Sequence, residues 1–404
     1  MSRMKKNIGL WGRLTSVVLI LFLTFSFAMF QGGFVSWFIF YMSLPFTIYS
    51  VLLALYPIQH IVASREIHTT QVRKGGSFSA TATIYRKIPF PLLYTVASEQ
   101  THSPSLNKQM AGQHQKMVVP GFRKVSSWTY VIDQMPRGEH VLEGIHLEVA
   151  DFFGWVKKTV LLPVQQTILV YPNTVDIVYR PMESRYDQGT MAAPFTLVKD
   201  PTMTSGLRDY QPGDRVSWIH WKSYARTQTL RTKEFEDRQS QELFLLDDRR
   251  NSEKFELQVE LVASILQSIV RANSSVAYLS VGRNRNHFPL VQTEEHLQRV
   301  MYHLAKVQDD LDKPVDQAIG RELQQMNTSS LLYVTSQLSM DMVQSIRKNA
   351  KNLSNCMCLV VATKGENLLA EEEKVHQYAR SKGFVVKRVS PENFATVFTE
   401  VSRQ

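Results

Sequence analysis

The sequence predicts an all-β domain and an α/β domain behind an N-terminal transmembrane helical hairpin. Three observations predict this fold class. No Asp, Glu, Lys or Arg lies between Arg13 and Arg65. Short alternating polar and apolar runs come next, and apolar strands then alternate with amphipathic helices. The predicted boundaries are residues 1–64 for the hairpin with its basic flanks, 65–170 for the β domain, 171–240 for a connecting segment and 241–404 for the α/β domain.

The uncharged stretch contains two apolar runs, Leu14–Phe30 and Phe34–Tyr56, separated by the turn Gln31–Gly33. A helix needs about 20 apolar residues to span a bilayer, and each run is close to that length. Pro45 lies inside the second run, where packing against the first helix tolerates it. Two such runs in succession, without a small-residue cleavage site, predict a membrane hairpin rather than a signal peptide.

The positions of Lys and Arg predict the orientation of the hairpin. Basic residues lie on both sides of it and none lies in its turn: Arg3, Lys5, Lys6 and Arg13 precede it, and Arg65, Arg73 and Lys74 follow it. Short loops on the cytoplasmic side are the ones rich in Lys and Arg. We therefore expect a cell-membrane protein with two spans, both termini in the cytoplasm.

The net charge of +10 is concentrated near the hairpin, since residues 1–170 contain 16 Lys and Arg against 7 Asp and Glu. A basic excess beside a membrane favours the anionic headgroups of the lipid bilayer as its partner. It disfavours nucleic acid, whose binders more often carry the basic patch on a folded recognition domain.

The two soluble domains are predicted from their periodicity. In residues 65–170, Thr, Val and Ser alternate between Gly-Gly, Pro-Gly and Arg-Gly turns, which predicts an antiparallel β-sandwich-like domain. After Leu243, near-continuous apolar strands alternate with amphipathic helices, which predicts a mostly parallel, doubly wound sheet covered on both faces. Within it we expect a basic loop at residues 282–288 and helices at 315–326 and 392–401.

The segment 206–227, GLRDYQPGDRVSWIHWKSYART, concentrates aromatic and charged side chains. Pro212-Gly213 predicts a tight turn, and Asp214 is a suitable N-cap for a helix that runs through Arg226. Candidate binding residues are Arg208, Tyr210, Pro212, Gly213, Asp214, Ile219, Trp221, Lys222, Ala225 and Arg226. Arg208 and Arg226 can each hold a carboxylate in a bidentate pair, with partners among Asp209, Asp214 and Glu234.

Three interpretations of this motif remain open. It is a structural clamp, with a buried aromatic wedge that braces the two soluble domains, because arginines and aromatics often lock interfaces. It is a surface that docks a partner or ligand, because Trp and Arg dominate binding hot spots. Or it is the active site of a membrane-associated hydrolase that uses Asp209, Asp214 and His220. No nucleophile–base pair is recognisable, so a non-enzyme without cofactors is predicted.

The order Arg208-x-Tyr210-x-Pro212-Gly213-Asp214, Ile219-x-Trp221-Lys222 and Ala225-Arg226 resembles the signature of the "domain of unknown function 58" family. The resemblance continues through TLRTKEFE (229–236) and includes the upstream segment at 137–158. It implies a von Willebrand factor A-like C-terminal domain. It also implies partnership with a MoxR-type AAA+ ATPase, often beside a membrane protein that bears a transglutaminase-like domain. No reaction is implied.

Von Willebrand factor A-like domains hold Mg²⁺ with an Asp-x-Ser-x-Ser run after the first strand, whose oxygens suit a hard cation. Here the corresponding run begins at Asp247, and Arg249 and Asn251 replace the two serines. Cationic side chains repel a divalent ion, so a degenerate site without metal is predicted. Asp247 is expected to pair with an arginine or to cap the following helix. We therefore expect a non-catalytic scaffold that presents the C-terminal domain to the ATPase or to a cell-envelope client.

Overall fold

The computed structural model describes residues 2–69, 71–110, 115–180, 204–211, 218–235, 243–312, 314–316, 319, 330–350, 353 and 355–398. The chain divides into two compact units, Met1–Asn173 and Thr174–Gln404. The first unit contains two long helices and a β-sandwich, and the second contains a layered α/β sheet.

Two helices open the first unit, α1 (Ser2–Gln31) and α2 (Phe34–Leu55). Gly32 and Gly33 join them with φ angles of 59° and 102°, which favour glycine. The helices pack together, with 5.4 Å between the ring centroids of Phe25 and Phe40. Among the described residues, α2 is the helix long and apolar enough to cross a membrane, with 22 residues and a mean hydropathy of 1.9, and the apolar part of α1, Thr15–Gln31, is shorter.

Eight strands form two sheets in the rest of this unit. Their bounds are β1 (Val62–Ile67), β2 (Val72–Arg73), β3 (Phe78–Tyr85), β4 (Tyr94–Thr101), β5 (Gln115–Val118), β6 (Val125–Ile132), β7 (Gly138–Ala150) and β8 (Lys157–Tyr171). The sheet orders are β1-β3-β6 and β2-β8-β7-β4-β5. All pairs are antiparallel, as predicted, except that β2 pairs parallel with β8. A short helix, α3 (Pro104–Met110), was not predicted.

Alternation along the strands builds the core between the two sheets. In β3 the side chains of Phe78, Ala80, Ala82 and Ile84 are all buried, as the period of two requires. One core cluster combines the end of α2 with both sheets, through Leu53, Tyr56, Ile84 and Leu147 among others. A second cluster contains Leu106 and Met110 of α3 with Phe78 and Ile168. The sandwich therefore has one end on α2 and one end at α3.

A buried ion pair links the two sheets. Arg65 Nη2 of β1 lies 2.5 Å from Glu99 Oε2 of β4, and their side chains are 0% and 4% exposed. Tyr130 donates from its hydroxyl to Glu99 Oε1 over 2.6 Å, and Arg65 Nη1 donates to the carbonyl of Val164 over 2.9 Å. Burial raises the pKa of Glu99 in spite of the nearby Arg65 guanidinium. Arg65, one of the basic residues that follow the hairpin in the sequence, thus pairs with a carboxylate inside the sandwich.

The second unit is built on a six-stranded sheet. Its strands are β11 (Leu243–Asp248), β12 (Val276–Val281), β13 (Arg285–Val291), β14 (Ser330–Thr335), β15 (Asn355–Val361) and β16 (Val385–Val389), in the order β13-β12-β11-β14-β15-β16. The described helices that cover it are α5 (Phe255–Arg271), α6 (Glu294–Lys306), α7 (Met340–Asn349) and α8 (Ala370–Ser381). All strand pairs are parallel except β12–β13.

Helices pack on both faces of this sheet, which confirms the doubly wound arrangement. Val259 and Val300, from α5 and α6, belong to one buried cluster. Val343 and Ala379, from α7 and α8, belong to the other. The order of strands reverses at β11, which lies between β12 and β14. In such sheets the crevice at the carboxyl end of the switch-point strand is the usual place for a ligand.

Two local predictions in this unit are wrong. Residues 282–288 were expected to form a loop, which is correct for 282–284 only. Arg285–Val291 is the edge strand β13, and Phe288 stacks on the buried Tyr278 with 5.8 Å between ring centroids. That aromatic contact gives the segment an apolar partner that its basic sequence does not suggest. The helix expected at 392–401 is, within the described residues, a single 3-10 turn at Phe394–Thr396. The helix expected at 315–326 lies mostly outside the described residues.

Candidate binding site

The motif segment is built on a two-stranded antiparallel hairpin. Strand β9 (Thr204–Asp209) pairs with β10 (Arg231–Phe235), so that Arg208 lies opposite Thr232. Ile219 bridges to the same Thr232, and His220 donates its backbone N–H to the carbonyl of Arg231 over 2.8 Å. Ile219 and Thr232 are both buried. The hairpin therefore fixes the position at which the following helix begins.

That helix, α4 (Trp221–Thr227), is short and capped at both ends. The Nδ1 atom of His220 accepts a hydrogen bond from the N–H of Ser223 over 3.1 Å, which satisfies one of the free amides of the first turn. At the other end Gln228 adopts a left-handed conformation with φ 56°. Capping holds the helix in place although none of its residues is buried.

The side chains of α4 face solvent. Trp221 is 58% exposed, and its ring meets that of Tyr224 edge to face with 6.3 Å between centroids. Lys222, Ala225 and Arg226 are exposed as well. The helix therefore presents two aromatic rings and two cationic side chains on a surface of seven residues.

One prediction for this segment is wrong in the described residues. The helix was expected to begin at Asp214, but it begins at Trp221, because Ile219 is engaged in a β-bridge. Most of the Trp221 ring is exposed within the described residues, and the bracing of the two soluble domains by this segment stays a prediction. Pro212, Gly213 and Asp214 lie outside the described residues.

The described carboxylate contact in this segment involves a residue that sequence reasoning did not single out. Arg231 Nε lies 3.6 Å from Asp209 Oδ1, directly across the hairpin. Arg208 donates from Nη1 to the backbone carbonyl of Asp209 over 3.2 Å. The β-register explains why Asp209 contacts Arg231, because position 231 faces position 209 across the two strands. Tyr210 extends the hairpin through its N–H, which donates to the carbonyl of Leu230 over 3.0 Å.

A second group of functional candidates lies at the carboxyl end of β11, where Asp247 and Asp248 are both fully buried. The amide nitrogen of Gln258 lies 2.8 Å from Asp247 Oδ1 and 3.1 Å from Asp248 Oδ1. Tyr278 donates to Asp247 over 3.3 Å, and Tyr333 donates to Asp248 over 2.9 Å. Each of the two carboxyl groups therefore accepts a hydrogen bond from a different tyrosine, and both accept from the side-chain amide of Gln258.

Burial is the largest influence on both acids, because a charged carboxylate is disfavoured away from water. It raises the pKa of Asp247 to about 7, with the neighbouring Asp248 carboxylate acting in the same direction and the Gln258 amide opposing it. The pKa of Asp248 is raised too, against the opposing charge of Arg250, whose Nε lies 3.9 Å from Asp248 Oδ2. The pair is thus suited to hold a proton near neutral pH.

The arrangement differs from what was expected for Asp247. Its described partners are Gln258 and Tyr278, not an arginine or a helix N-terminus. Arg249, at the degenerate metal position, lies 3.2 Å from Asp310 and donates to the carbonyl of Asn284 over 2.6 Å. Within the part of the chain that the structure describes, no group of three or more His, Cys, Asp or Glu side chains could hold a metal ion.

Comparison with known proteins bears on the identity of the chain. The family described as "Protein of unknown function DUF58" matches residues 206–376. The uncharacterized protein YeaD of Bacillus subtilis (strain 168) is 36% identical over 335 residues, which cover 82% of this chain and 84% of that protein. The chain belongs to the DUF58 family. The family match begins at the β9–β10 hairpin and extends into α8.

Solved structures similar to this DUF58 protein are remote. An aerotolerance-related membrane protein from Bacteroides fragilis NCTC 9343 has a TM-score of 0.27 at 11% identity, covering 38% of this chain and 92% of that one. Cwp6 from Clostridium difficile has a TM-score of 0.17 at 9% identity, covering 82% and 53%. At these TM-scores neither similarity establishes a shared fold.

Proposed function

We propose that this DUF58 protein is a membrane-anchored, non-catalytic scaffold that docks a protein partner through the exposed surface of α4. The observation that carries the proposal is the exposed pair Trp221 and Tyr224 on a capped helix. Large aromatic side chains held at the surface are typical of binding hot spots, because they bury much apolar area when a partner covers them.

Anchoring rests on the N-terminal helices. We infer that α1 and α2 form a two-span hairpin with both termini in the cytoplasm. The length and apolarity of α2, the apolar segment Thr15–Gln31 and the packing of Phe25 on Phe40 support this arrangement. The glycine turn between the helices carries no charge that would hold it on the cytoplasmic side.

The second unit is proposed to have a von Willebrand factor A-like fold. Its mostly parallel six-stranded sheet, its single antiparallel edge strand and its helices on both faces support the assignment. In such a fold the degenerate run at Asp247 makes metal-dependent ligand binding a poor candidate for the docking mechanism. Docking through α4 needs no metal ion.

The chemistry of α4 favours a partner with an acidic surface. Lys222 and Arg226 lie on the same exposed helix as the two rings, and Lys233 lies on the neighbouring strand β10. Arg recognises carboxylates through paired N–H donors and also stacks on aromatic rings. We propose as partner a MoxR-type AAA+ ATPase, which the family resemblance implies, with a membrane protein bearing a transglutaminase-like domain in the same assembly.

A hydrolase at this motif is not supported by the contacts of its candidate residues. Asp209 is paired with Arg231, and His220 Nδ1 accepts the hydrogen bond that caps α4. A general base must reach the proton that it abstracts, and both side chains have structural partners in this segment.

The docking surface is tested by replacing Trp221 with alanine. We expect the Kd for the purified MoxR-type ATPase of the same cell to rise by roughly 30-fold, as for a hot spot of about 2 kcal/mol. The full chain in nanodiscs is titrated with the ATPase and binding is measured by biolayer interferometry. The fold should be unaffected, because the Trp221 ring is mostly exposed.

A matched control is Tyr302→Ala, which removes another exposed aromatic side chain, on α6. Its Kd should equal that of the wild type. Equal Kd values for all three proteins, or no binding of the ATPase by the wild type, would show that α4 is not the docking surface for this partner.

A further inference from the structure

Three loops of the sandwich meet at the end of α2, and their surface has no role in the docking described above. They are residues 86–92 between β3 and β4, 119–124 between β5 and β6, and 151–156 between β7 and β8, hereafter the three loops. Each is held in place by contacts with α2 or with its neighbour.

The loop 151–156 lies against α2 well before that helix ends. Ser50 donates from its hydroxyl to Asp151 Oδ2 over 2.6 Å. The ring of Phe46 meets those of Phe152 and Phe153, with 5.6 Å and 5.4 Å between centroids. Phe46 precedes the last residue of α2, Leu55, by nine positions, which is about 13 Å along a helix axis. The tip of this loop therefore lies beside the apolar part of α2 and not beyond the end of the helix.

The loop 86–92 is bound to the last two turns of α2. Tyr49 donates from its hydroxyl to the carbonyl of Pro91 over 2.9 Å, and Tyr56 donates to the carbonyl of Ile88 over 3.0 Å. The ring of Phe90 stacks on both tyrosines, with 5.6 Å and 5.1 Å between centroids. These contacts fix the loop at the level where α2 ends.

The loop 119–124 is joined to this arrangement by Arg86. The buried Arg86 guanidinium donates to the carbonyls of Phe90 and Gly121 over 2.8 Å and 2.9 Å, and to that of Arg123. Leu92 and Gly121 form a β-bridge beside it. The three loops are therefore one connected surface around α2.

The sandwich is also attached to the end of α2 by Lys158 on β8. Its ammonium group donates to the carbonyls of Ala54 and Tyr56 over 2.6 Å and 2.7 Å. The last carbonyls of a helix lack partners within the helix and carry partial negative charge, so a cation there is favourable. Burial lowers the pKa of Lys158. The contact holds the β-sandwich close to the point where the chain leaves the helix.

The outward side chains of the three loops are apolar at the tips and basic beside them. Phe122, Phe152 and Phe153 are 70%, 62% and 55% exposed, and Val119 and Ile88 are exposed too. The exposed basic side chains of the loops are those of Lys87, Arg123 and Lys124. Lys157, just beyond them on β8, is paired with Glu148 of β7. Residues 86–92, 119–124 and 151–158 contain one acid, Asp151, and it is buried.

We propose that the three loops insert into the headgroup region of the bilayer that α2 spans. Phe122, Phe152 and Phe153 reach the boundary with the acyl chains, and the neighbouring Lys and Arg side chains contact anionic lipid phosphates. This rests on the membrane anchoring proposed above.

Lipid covers this surface because the loops contact α2 as far as about 13 Å before the end of the helix. At that level a helix that spans the bilayer is surrounded by lipid. Exposed aromatic tips with adjacent basic residues are the composition of interfacial membrane anchors. Exposed Lys and Arg side chains near an anionic membrane surface add electrostatic attraction to this anchor.

Depth-dependent quenching of a fluorophore tests the insertion. Phe122→Cys and Phe152→Cys are each labelled with the environment-sensitive dye NBD in the full chain, in nanodiscs of phosphatidylcholine and phosphatidylglycerol. Both side chains are mostly exposed, so the substitutions remove little buried area. Cys356 and Cys358 are buried and stay unlabelled in the folded chain, and labelling of the wild type serves as the blank.

The matched control is Lys108→Cys on α3, an exposed position at the end of the sandwich opposite α2. We expect lipids carrying a nitroxide near the headgroup to quench the dye at positions 122 and 152 at least about threefold more than at position 108. Water-soluble iodide should show the reverse order.

The outcomes separate this inference from the anchoring itself. If all three positions are quenched alike by iodide while alkaline carbonate leaves the chain in the membrane, the loops do not insert and the helical anchor stands. If carbonate releases the chain, the anchor fails and the insertion fails with it.

Discussion

Replacing Arg65 with methionine is expected to lower the free energy of unfolding of the chain by about 3–5 kcal/mol, the usual cost of removing one partner from a buried ion pair. The substitution leaves Glu99 in the core, where the Tyr130 hydroxyl is its remaining described side-chain donor. An uncompensated buried carboxylate must either stay charged without its partner or take up a proton, and both are unfavourable. Thermal and urea unfolding in detergent micelles, followed by circular dichroism, measures the loss.

A double variant distinguishes this mechanism from general damage to the sandwich. Arg65→Met combined with Glu99→Gln removes the orphaned charge and keeps an acceptor for Tyr130, so it should recover much of the lost stability. A loss below about 1 kcal/mol for the single variant, or no recovery in the double variant, would contradict the buried-pair account.

Replacing Asp247 with asparagine is expected to remove one contribution to the pH dependence of stability between about pH 5 and pH 8, the one that lowers stability as the pH rises. Between the ordinary pKa of 3.8 and the folded value of about 7, the folded chain holds a proton that the unfolded chain has lost. The stabilisation is therefore fully present below about pH 4 and is lost as the pH rises through about 7. Between about pH 5 and pH 8 the free energy of unfolding of the wild type should fall by up to about 3 kcal/mol relative to that of the Asp247→Asn chain, since one pKa unit corresponds to about 1.4 kcal/mol. The comparison with the variant cancels the contribution of His303, whose lowered pKa acts in the opposite direction in both chains.

Asparagine cannot ionise, and its side-chain oxygen can still accept from Gln258. The Asp247→Asn chain should therefore be close to the wild type at about pH 5 and more stable than it at about pH 8. Asp133→Asn, at an exposed position, is the control and should follow the wild type. An unfolding free energy of the wild type that does not fall relative to that of the Asp247→Asn chain over this pH range would show that Asp247 is ionised in the folded state.

Periodicity was sufficient to predict the layers of the fold. Alternation of polar and apolar residues in β3 indicates a strand buried on one face. The apolar runs in β11 and β14 indicate strands buried on both faces. Both patterns can be recognised within a single strand, without knowledge of its partners. The start of α4 was harder to predict from the sequence, because it depends on the pairing of Ile219 with Thr232, thirteen positions away. Local capping preference placed the start at Asp214 because it ignores such pairing.

The partners of the candidate site residues were still harder to predict, because they come from distant parts of the chain. The family resemblance directed attention to Asp247, but its phenol donor comes from β12 and its amide donor from α5, and no sequence spacing identifies either. In the sequence Arg65 resembled a membrane-flanking cation, because it follows a predicted transmembrane helix. Its partner Glu99 lies on another sheet, so only the packed sandwich reveals the pair.

The most direct test of the anchored, inward-facing topology is cysteine labelling of intact cells with a maleimide that does not cross membranes. One cysteine replaces Gln31, the last residue of α1 before the glycine turn, and another replaces Tyr302 on α6; both side chains are exposed. The account predicts that position 31 is labelled in intact cells and that position 302 is labelled only after the membrane is permeabilised. Labelling of position 302 in intact cells, or protection of position 31 until permeabilisation, would contradict it.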